Sequence, residues 1–368
     1  MSQEKEWKPL ELVKVSASYL ASKAVPNPRL DCEILLSHAL HLGSRINLYA
    51  AFDQTIDSHS LAEFRDMVRR RASREPVSRI LGEREFMGLT LAVTPAVFSP
   101  RPETELLVEG VLAMTLPVAS PLANTPPAET PEAREEVTAD LDAILDAYAG
   151  EAGEEEEEEE GEGEGEGEPR FDLAPATARR PSRVGPRAAP AGPTPAPPAI
   201  AILDLGTGSG CIAVALADRH PTASLTAVDV SPEALSTARL NAAACHVAER
   251  ISFHQGSWFA ACPAGETYDV VVSNPPYLVR GDQEIWPEVS RFDPEIALYG
   301  GEDGLECFRA IIAGAAARLT AGGSLFLEIG AGQAPAVTEI LVQNGFAPPE
   351  IQDDAAGHPR VLAARREN

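Results

Sequence analysis

The chain has 368 residues, 44% of them hydrophobic, and carries a formal net charge of −26 at pH 7. A chain of this length can bury at least one full core, and we expect two domains. So acidic a protein is a poor candidate for a general nucleic-acid binder, which needs a basic surface.

Neither a membrane segment nor a metal site is expected. The sequence has no run of about 20 apolar residues, which predicts no membrane span. Residues 1–6 are charged rather than apolar, which predicts no signal peptide. The 5 cysteines are scattered and form no Cys-x-x-Cys pair, a spacing typical of reduced thiols in a cytoplasmic enzyme.

Residues 1–85 are predicted to form a helical domain. Apolar residues recur there at helical spacing in three segments, and Gly43 is expected to end the second. Ser60 is expected to cap the third, with Glu63 at the capping-box position. Five arginines cluster on that segment: Arg65, Arg69, Arg70, Arg71 and Arg74. We interpret them either as a solvated basic face or as a docking surface for an acidic or RNA-containing partner.

Residues 86–116 are predicted to connect this unit to the rest of the chain. The pattern from Phe86 to Phe98 indicates a short β-hairpin around Met87-Gly88. A stiff turn follows at residues 99–102, and a helix is expected to open at Glu103 or Thr104. Arg101 and Glu103 either belong to a simple hinge or bridge the two domains beside a site.

Residues 117–198 differ in composition from the rest of the chain. They hold 14 of the 32 prolines and 20 acidic against 6 basic residues, with a run of glutamates at 154–160. Such a composition cannot bury enough apolar area to offset the entropy of ordering the chain. We therefore expect a disordered insert with a short helix near 137–148, acting as a solvated spacer or as a charged interaction arm.

From residue 199 onward strands and helices alternate, which predicts a parallel, doubly wound α/β sheet. The predicted strands lie at 199–205, 224–230, 251–254, 268–273, 324–329, 350–353 and 361–365. The glycine loop Gly206-Thr207-Gly208-Ser209-Gly210 follows the first strand and would let backbone amides approach a ligand closely. A dinucleotide fingerprint would place its third glycine where Cys211 stands, so the pattern favours a nucleoside ligand without pyrophosphate.

Three acidic or aromatic residues are candidates beside that loop. Asp229 ends the second strand, where an acid can bind both ribose hydroxyls, and a simple charge at a helix N-terminus is the alternative. Trp258 follows the third strand and either flanks an adenine or belongs to the core. Asp204 is expected to orient the loop backbone rather than to contact the ligand.

The fourth strand stops abruptly at Asn274-Pro275-Pro276-Tyr277. The chemistry suited to such a loop is transfer to a planar nitrogen, whose delocalised lone pair makes it a poor nucleophile. The side-chain oxygen of Asn274 and the carbonyl of Pro275 can accept hydrogen bonds from an amide NH2, and Tyr277 offers an aromatic face. The loop is therefore predicted to position such a group, and the alternative is a stiff turn without a catalytic role.

Together with the glycine loop and Asp229, the segments Asn274–Tyr277 and Arg101-Pro102-Glu103-Thr104-Glu105 resemble the S-adenosylmethionine-dependent glutamine methyltransferases of peptide chain release factors, the HemK/PrmC family. The later blocks 297–304 and 327–330 also fit. The resemblance implies a Rossmann-like class I methyltransferase fold. It implies a small substrate-docking helical domain at 1–85, a hairpin and connecting helix at 86–116, and a methyltransferase domain at 199–368, with the insert at 117–198 foreign to the family.

The same resemblance implies the roles of individual residues. S-adenosylmethionine would contact Gly206, Thr207, Gly208, Ser209, Gly210, Asp229, Trp258 and Asn274. Asn274, Pro275, Pro276 and Tyr277 would hold the substrate glutamine and carry the catalysis. The substrate would be the Gly-Gly-Gln loop of a class I release factor, methylated by a cytoplasmic enzyme, expected to be a monomer, without metal, membrane or a direct need for nucleic acid.

Two features depart from the family pattern. Ser99 stands where the family usually has an aliphatic residue, and Asp293-Pro294-Glu295 replaces a more usual Glu-Pro-Arg.

Two other functions remain as alternatives. Asn-Pro-Pro-Tyr is shared with enzymes that methylate an adenine or guanine amino group in nucleic acid. Those require base flipping and a basic surface, which residues 1–85, with 13 basic and 12 acidic residues, do not supply. A non-enzymatic binding protein that uses the acidic insert is the second alternative, and it leaves the combination of motifs unexplained.

Overall fold

The computed structural model describes residues 6–51, 53–116, 199–281 and 286–367. The predictions for 117–198, including the disordered insert and the short helix near 137–148, lie outside these residues. None of the described helices is long and apolar enough to cross a membrane.

The N-terminal segment folds around a core of its own, which confirms the predicted helical unit. Its helices are α1 (Pro9–Ser22), α2 (Pro28–Ala39), α3 (Asn47–Ala50), α4 (Ser58–Ala72) and α5 (Val77–Leu81). Their apolar faces meet in one cluster, in which Leu20, Leu36 and Phe64 are fully buried. The helical periodicity of the sequence therefore reflects packing against neighbouring helices.

The predicted cap of α4 is wrong. The N-cap is Asp57, whose carboxylate accepts hydrogen bonds from the backbone N–H groups of His59 and Ser60 at 2.9 and 3.0 Å. Ser60 lies inside the first turn, and its hydroxyl donates to the same carboxylate at 2.7 Å. Aspartate and serine cap helices about equally well, so the Ser-x-x-Glu spacing alone could not place the start of this helix.

The hairpin turns at Met87-Gly88 as predicted but is shorter than expected. Strands β1 (Glu83–Phe86) and β2 (Leu89–Ala92) pair antiparallel. Met87 and Gly88 have φ angles of 53° and 76°. A two-residue turn with positive φ at both positions matches the twist of the flanking strands. The hairpin begins before residue 86, and its strand pairing stops well before Phe98. The helix α6 (Pro102–Thr115) follows, with its proline in the first turn.

The remaining strands form one seven-stranded sheet, which confirms the doubly wound fold. They are β3 (Ile200–Leu205), β4 (Ala223–Asp229), β5 (Ile251–Gln255), β6 (Tyr268–Ser273), β7 (Leu319–Glu328), β8 (Glu350–Asp353) and β9 (Pro359–Arg365). The order across the sheet is β5-β4-β3-β6-β7-β9-β8. The first five strands in that order run parallel, and β9 is antiparallel to both of its neighbours.

Helices cover both faces of this sheet. After residue 199 they are α7 (Cys211–Arg219), α8 (Pro232–Ala244), α9 (Pro287–Phe292), α10 (Glu306–Arg318) and α11 (Ala334–Gln343). One face packs against α6, α7 and α8, and the other packs against α10 and α11. In β6, Val270 and Val272 face the first layer and Val271 faces the second. A strand buried on both faces reads as a continuous apolar run, which is why β6 was predictable.

The strand order determines where a ligand can bind. β3 lies between β4 and β6, with Leu205 paired to Val228 on one side and to Ser273 on the other. The chain leaves β3 toward one half of the sheet and later returns to build the other half. Ligands of such sheets bind at the carboxyl ends of the strands where the order reverses.

Candidate functional site

A cavity of about 1370 Å³ opens at the carboxyl ends of β3, β4 and β6. Nearly all of the predicted site residues line it: Gly206, Thr207, Gly208, Ser209, Asp229, Trp258, Asn274, Pro275, Pro276 and Tyr277. The structure therefore brings the glycine loop and the Asn274–Tyr277 loop to one place.

Gly210 is predicted to contact the cofactor but is not among the residues that line the cavity. It is the N-cap of α7, with a φ of 79°. A Cβ atom at this position would lie 2.9 Å from the Cβ of Ala238 on α8. The glycine is explained by this left-handed conformation and by the close packing of α7 against α8.

Four of the five amides of the glycine loop are bonded within the protein. The N–H groups of Gly206 and Thr207 donate to the carbonyl of Val228 at 2.8 and 3.0 Å, and that of Gly210 donates to the carbonyl of Thr207 at 2.8 Å. The N–H of Gly208 donates to Oδ2 of Asp229 at 2.8 Å. These four amides are not directed at a pyrophosphate, which agrees with the prediction of a nucleoside ligand.

Asp229 retains acceptor capacity toward the cavity. Its Oδ2 accepts from Gly208, and its Oδ1 accepts from the N–H of Ser231 at 2.9 Å. A carboxylate offers about four lone-pair sites, so each oxygen can accept one more hydrogen bond. The side chain is partly exposed, and this arrangement suits a pair of hydroxyl groups.

The two other candidates near the loop behave differently. Trp258 is half-buried, lines the cavity and also packs against the α10 face of the core. Its ring lies 3.6 Å from where a Cβ of Gly206 would be. Asp204 is fully buried and accepts the hydroxyl of Thr207 at 2.7 Å, so it contacts the loop, as expected. Burial raises the pKa of Asp204 to about 7, although the bond from Thr207 opposes the shift.

Glycines enclose the Asn274–Tyr277 loop closely. A Cβ at Gly300 would lie 2.5 Å from the carbonyl oxygen of Pro276, and one at Gly304 would lie 2.6 Å from that of Tyr277. The side-chain NH2 of Gln333 donates to the carbonyls of Tyr277 and Gly304 at 3.1 and 3.3 Å. Residues 297–304 and 330–333 therefore hold this loop rigidly.

Two buried polar residues behind Asn274 were not predicted as part of the site. Nδ2 of Asn274 donates to Oγ1 of Thr104 at 3.2 Å. Glu328, at the end of β7, is close enough to both to be hydrogen-bonded by them. Burial raises the pKa of its carboxyl to about 7, while Thr104, Arg360 and Asn274 oppose the shift. A charged residue at the end of the apolar run 325–329 was the available signal in the sequence.

The arginine cluster of α4 is largely committed to contacts within the chain. Nε of Arg71 pairs with Asp31 at 2.7 Å, and Arg74 binds Glu288 through two bonds of 2.7 and 2.8 Å. Nη2 of Arg71 also contacts Glu288 at 3.3 Å. The interpretation of this cluster as a docking surface is therefore wrong for Arg71 and Arg74, which attach the N-terminal helices to α9.

A second buried carboxylate lies where the sequence departs from the family pattern. The side chain of Asp293 is fully buried and pairs with Arg79 of α5 at 2.9 Å and with Arg101 at 3.5 Å. Arg101 therefore pairs with a buried carboxylate beside the cavity, and a bridge between the two domains through Arg101 and Glu103 stays a prediction. Within the described residues, no group of three or more His, Cys, Asp or Glu side chains is arranged to hold a metal ion.

Two family models match separate parts of the chain. Residues 11–82 match the family described as PrmC N-terminal domain, and residues 194–289 match the family described as Methyltransferase small domain. Among solved structures, a methyltransferase from Pyrococcus furiosus is 19% identical, with a TM-score of 0.37, and the match covers 46% of this chain and 76% of the other.

Curated relatives extend over nearly the whole chain. A release factor glutamine methyltransferase of Geobacter sulfurreducens is 35% identical over 98% of this chain and 97% of its own length. A protein of the same name from Burkholderia pseudomallei is 33% identical over 93% of this chain and 94% of its own length. The chain therefore belongs to the release factor glutamine methyltransferase family.

Proposed function

We propose that this protein transfers a methyl group from S-adenosylmethionine to the side-chain amide nitrogen (N5) of a glutamine in a peptide chain release factor. The observation that carries the proposal is the shared cavity, which joins a nucleoside-type site to the Asn274–Tyr277 loop. Relatives that match along nearly their whole length bear the name of this activity.

The cavity fits the cofactor. Because the loop amides are used internally, the site suits an adenosine without pyrophosphate better than a dinucleotide. We assign the cofactor contacts to Gly206, Thr207, Gly208, Ser209, Asp229, Trp258 and Asn274. When bound, S-adenosylmethionine supplies an electrophilic methyl group.

The residues of the Asn274–Tyr277 loop overcome the low nucleophilicity of an amide. Oδ1 of Asn274 and the carbonyl of Pro275 accept the two N–H groups of the glutamine side chain, while the ring of Tyr277 packs against its plane. Held in this way, the nitrogen lone pair points at the methyl group, and the nitrogen then loses a proton to water or to a nearby carbonyl. The rate enhancement comes from positioning and from acceptors fixed in advance.

The remaining parts of the chain are assigned to substrate selection. We assign residues 1–85 to docking of the release factor, 86–116 to the connection and 199–368 to catalysis, with 117–198 as a solvated spacer. Pro26 and Asn27 of the helical unit also line the cavity, which supports contact between that unit and the substrate. The substrate segment would be the Gly-Gly-Gln loop of a class I release factor, and the enzyme would act as a cytoplasmic monomer without nucleic acid.

The alternative functions gain no support. Arg71 and the half-buried Arg74 are engaged by Asp31 and Glu288, so they are not available to a nucleic-acid backbone. A binding protein that works through residues 117–198 would have no use for the cavity.

The test is to locate the transferred methyl group. Labelled S-adenosylmethionine is incubated with the protein and either a class I release factor or nucleic acid, and the products are digested and analysed by mass spectrometry. We expect label on the glutamine of Gly-Gly-Gln and none on a factor in which that glutamine is replaced by alanine. Label in nucleic acid alone, or on another residue of the factor, contradicts the proposal.

A further inference from the structure

We propose that Thr104 and Glu328 are positioning residues that hold the amide of Asn274 with its NH2 group toward the protein and its oxygen toward the cavity. This inference rests on the proposed function, because it concerns the acceptor that Asn274 offers to the substrate amide.

The three residues come from three different elements. Thr104 lies in the first turn of α6, Asn274 follows β6, and Glu328 is the last residue of β7. Nδ2 of Asn274 donates to Oγ1 of Thr104 at 3.2 Å. The carboxyl of Glu328 lies close enough to both side chains for their hydrogen-bonding groups to oppose the rise of its pKa. Thr104 and Glu328 are each only 2% exposed, so water does not compete for these bonds.

Where Glu328 is ionised, the chemistry of the groups gives these contacts one direction. The carboxylate can then only accept, so the single proton of the Thr104 hydroxyl is donated toward Glu328. The lone pairs of that hydroxyl are then left to accept from the NH2 group of Asn274. With the amide reversed, the oxygen of Asn274 would face two acceptors and no donor. The bonds therefore fix which end of Asn274 faces the cavity.

A contribution to stability does not explain why an acid stands at this position. Oε2 of Glu328 is buried and has no hydrogen-bond partner within the described residues. Leaving such an oxygen unpaired destabilises the fold, whereas an apolar residue at the end of β7 would pack without that penalty. An unfavourable polar group that contacts the catalytic loop is what a positioning role predicts.

The test uses a double-mutant cycle. Thr104→Val removes the hydroxyl while keeping the shape, Thr104→Ser restores it, and both are made in the parent and in the Asn274→Ala background. Thr226→Val serves as the control, because Thr226 is a buried threonine of β4 that does not line the cavity. The rate and the KM for release factor are measured, together with the affinity for S-adenosylmethionine.

We expect Thr104→Val to lower kcat by about 10- to 100-fold, somewhat less than the loss of a preorganised hydrogen-bonding group itself. Thr104→Ser should stay close to the parent, and the affinity for the cofactor should not change. In the Asn274→Ala background, Thr104→Val should have no further effect. A parent-like rate for Thr104→Val, or the same loss of rate in both backgrounds, overturns the inference.

A second measurement does not depend on methyl transfer. The side-chain NH2 signals of Asn274 in a ¹⁵N spectrum, assigned by their loss in Asn274→Ala, should shift in Thr104→Val and not in Thr226→Val. Unshifted signals overturn the positioning role even if the parent methylates release factor. Shifted signals in a parent that methylates nothing support the positioning role and contradict the proposed function instead.

Discussion

Asp229 and Asn274 each follow or end a buried parallel strand, and each keeps an acceptor atom on the cavity side. For Asp229 the remaining capacity follows from its two internal bonds, to Gly208 and Ser231. For Asn274 the side-chain NH2 group donates within the protein, to Thr104, so the side-chain oxygen remains available as the acceptor. At this scale the site consists of acceptor atoms that the hydrogen bonds within the protein leave unused.

The first prediction concerns Asp229→Ala. We expect weaker binding of S-adenosylmethionine, by about 1.5–3 kcal/mol, because a charge-assisted bond to the ribose is lost. Asp229→Asn keeps one acceptor and should lose less. Calorimetric titration gives the affinity, with Asp218→Ala on the exposed end of α7 as the control. An unchanged affinity in Asp229→Ala would remove this residue from the site.

The second prediction concerns the free energy of unfolding and Glu328→Gln. Because burial raises the pKa of Glu328 from 4.5 to about 7, the folded protein holds this proton more tightly than the unfolded chain does. The resulting contribution to stability is complete below pH 4.5 and is lost as the pH rises to about 7. Glutamine cannot titrate, so the variant should gain stability relative to the parent across that interval.

Denaturant titrations at pH 4.5 and pH 8 measure this difference. Asp204 titrates in both proteins and cancels in the comparison. Glu339→Gln, on the surface of α11, should show no such dependence. A difference between Glu328→Gln and the parent that stays constant with pH would contradict the shifted pKa.

Much of the site, though not its supporting residues, could be predicted from sequence. The glycine loop, Asp229 and Asn274–Tyr277 are short motifs at strand ends, where local spacing carries the information. Thr104 and Glu328 lie in segments that resemble the family, but their place beside Asn274 could not be predicted, because in the case of Thr104 the contact joins residues 170 positions apart. Gly210 is the opposite case. It belongs to the glycine motif, but in the structure it allows close packing between two helices.

Among the elements, α9 joins the region after the Asn274–Tyr277 loop to the N-terminal helices. Its Glu288 is buried between Arg71 and Arg74. Burial disfavours the charge of Glu288, but hydrogen bonding from Arg74 and the charges of both arginines outweigh it and lower the pKa of the carboxyl. The anion is therefore stable over the ordinary pH range, and α9 is attached through charges rather than through a large apolar face.

The third prediction tests that attachment with Glu288→Gln. The substitution leaves two partly buried arginines without their shared anion, and breaking a buried pair in this way costs about 3 kcal/mol. Thermal or denaturant unfolding measures the loss. Glu295→Gln is the matched control, because the pair of Glu295 with Arg280 is exposed and should contribute less than about 1 kcal/mol. Equal effects of the two substitutions would contradict the account of α9.

Elements with a single dominant signal were predicted well. The cap of α8 is Ser231, whose hydroxyl accepts from the N–H of Ala234 at 3.0 Å. β7 instead begins at Leu319 rather than Ser324, because Leu319 pairs with Tyr268 of β6 ahead of an irregularity in the register, after which Ser324 pairs with Val270. In α4, two good caps compete within four residues, and sequence alone could not choose between them.

At the scale of the whole molecule, the seven-stranded sheet is built entirely from residues 200–365. The alternation of strands and helices predicted this sheet, since parallel neighbours require crossover connections. The attachment of the helical unit to α9 could not be predicted, because it depends on ion pairs between residues more than 200 positions apart. More than half of the excess negative charge lies in residues 117–198, outside the segments 1–85 and 199–368.

The fourth prediction concerns the removal of this acidic segment. Replacing residues 120–195 by a short Gly/Ser connection should leave methyl transfer nearly intact, because the described strands of the sheet and the described lining of the cavity all come from residues outside that deletion. Turnover of the folded deletion protein is compared with that of the full chain. A hundredfold reduction would show that the insert takes part in docking or in the reaction.

The most direct test of the central claim is the rate of a single turnover in Asn274→Ala. The substrate is a release factor that carries its Gly-Gly-Gln loop, and the affinity for S-adenosylmethionine is measured in parallel. Loss of one preorganised acceptor should lower the rate by about 10²–10³, and misalignment should lower it further. Most of the cofactor affinity should remain, because Asp229 and the glycine loop are intact. A rate close to that of the parent would mean that Asn274–Tyr277 is only a turn, and it would contradict the mechanism at its centre.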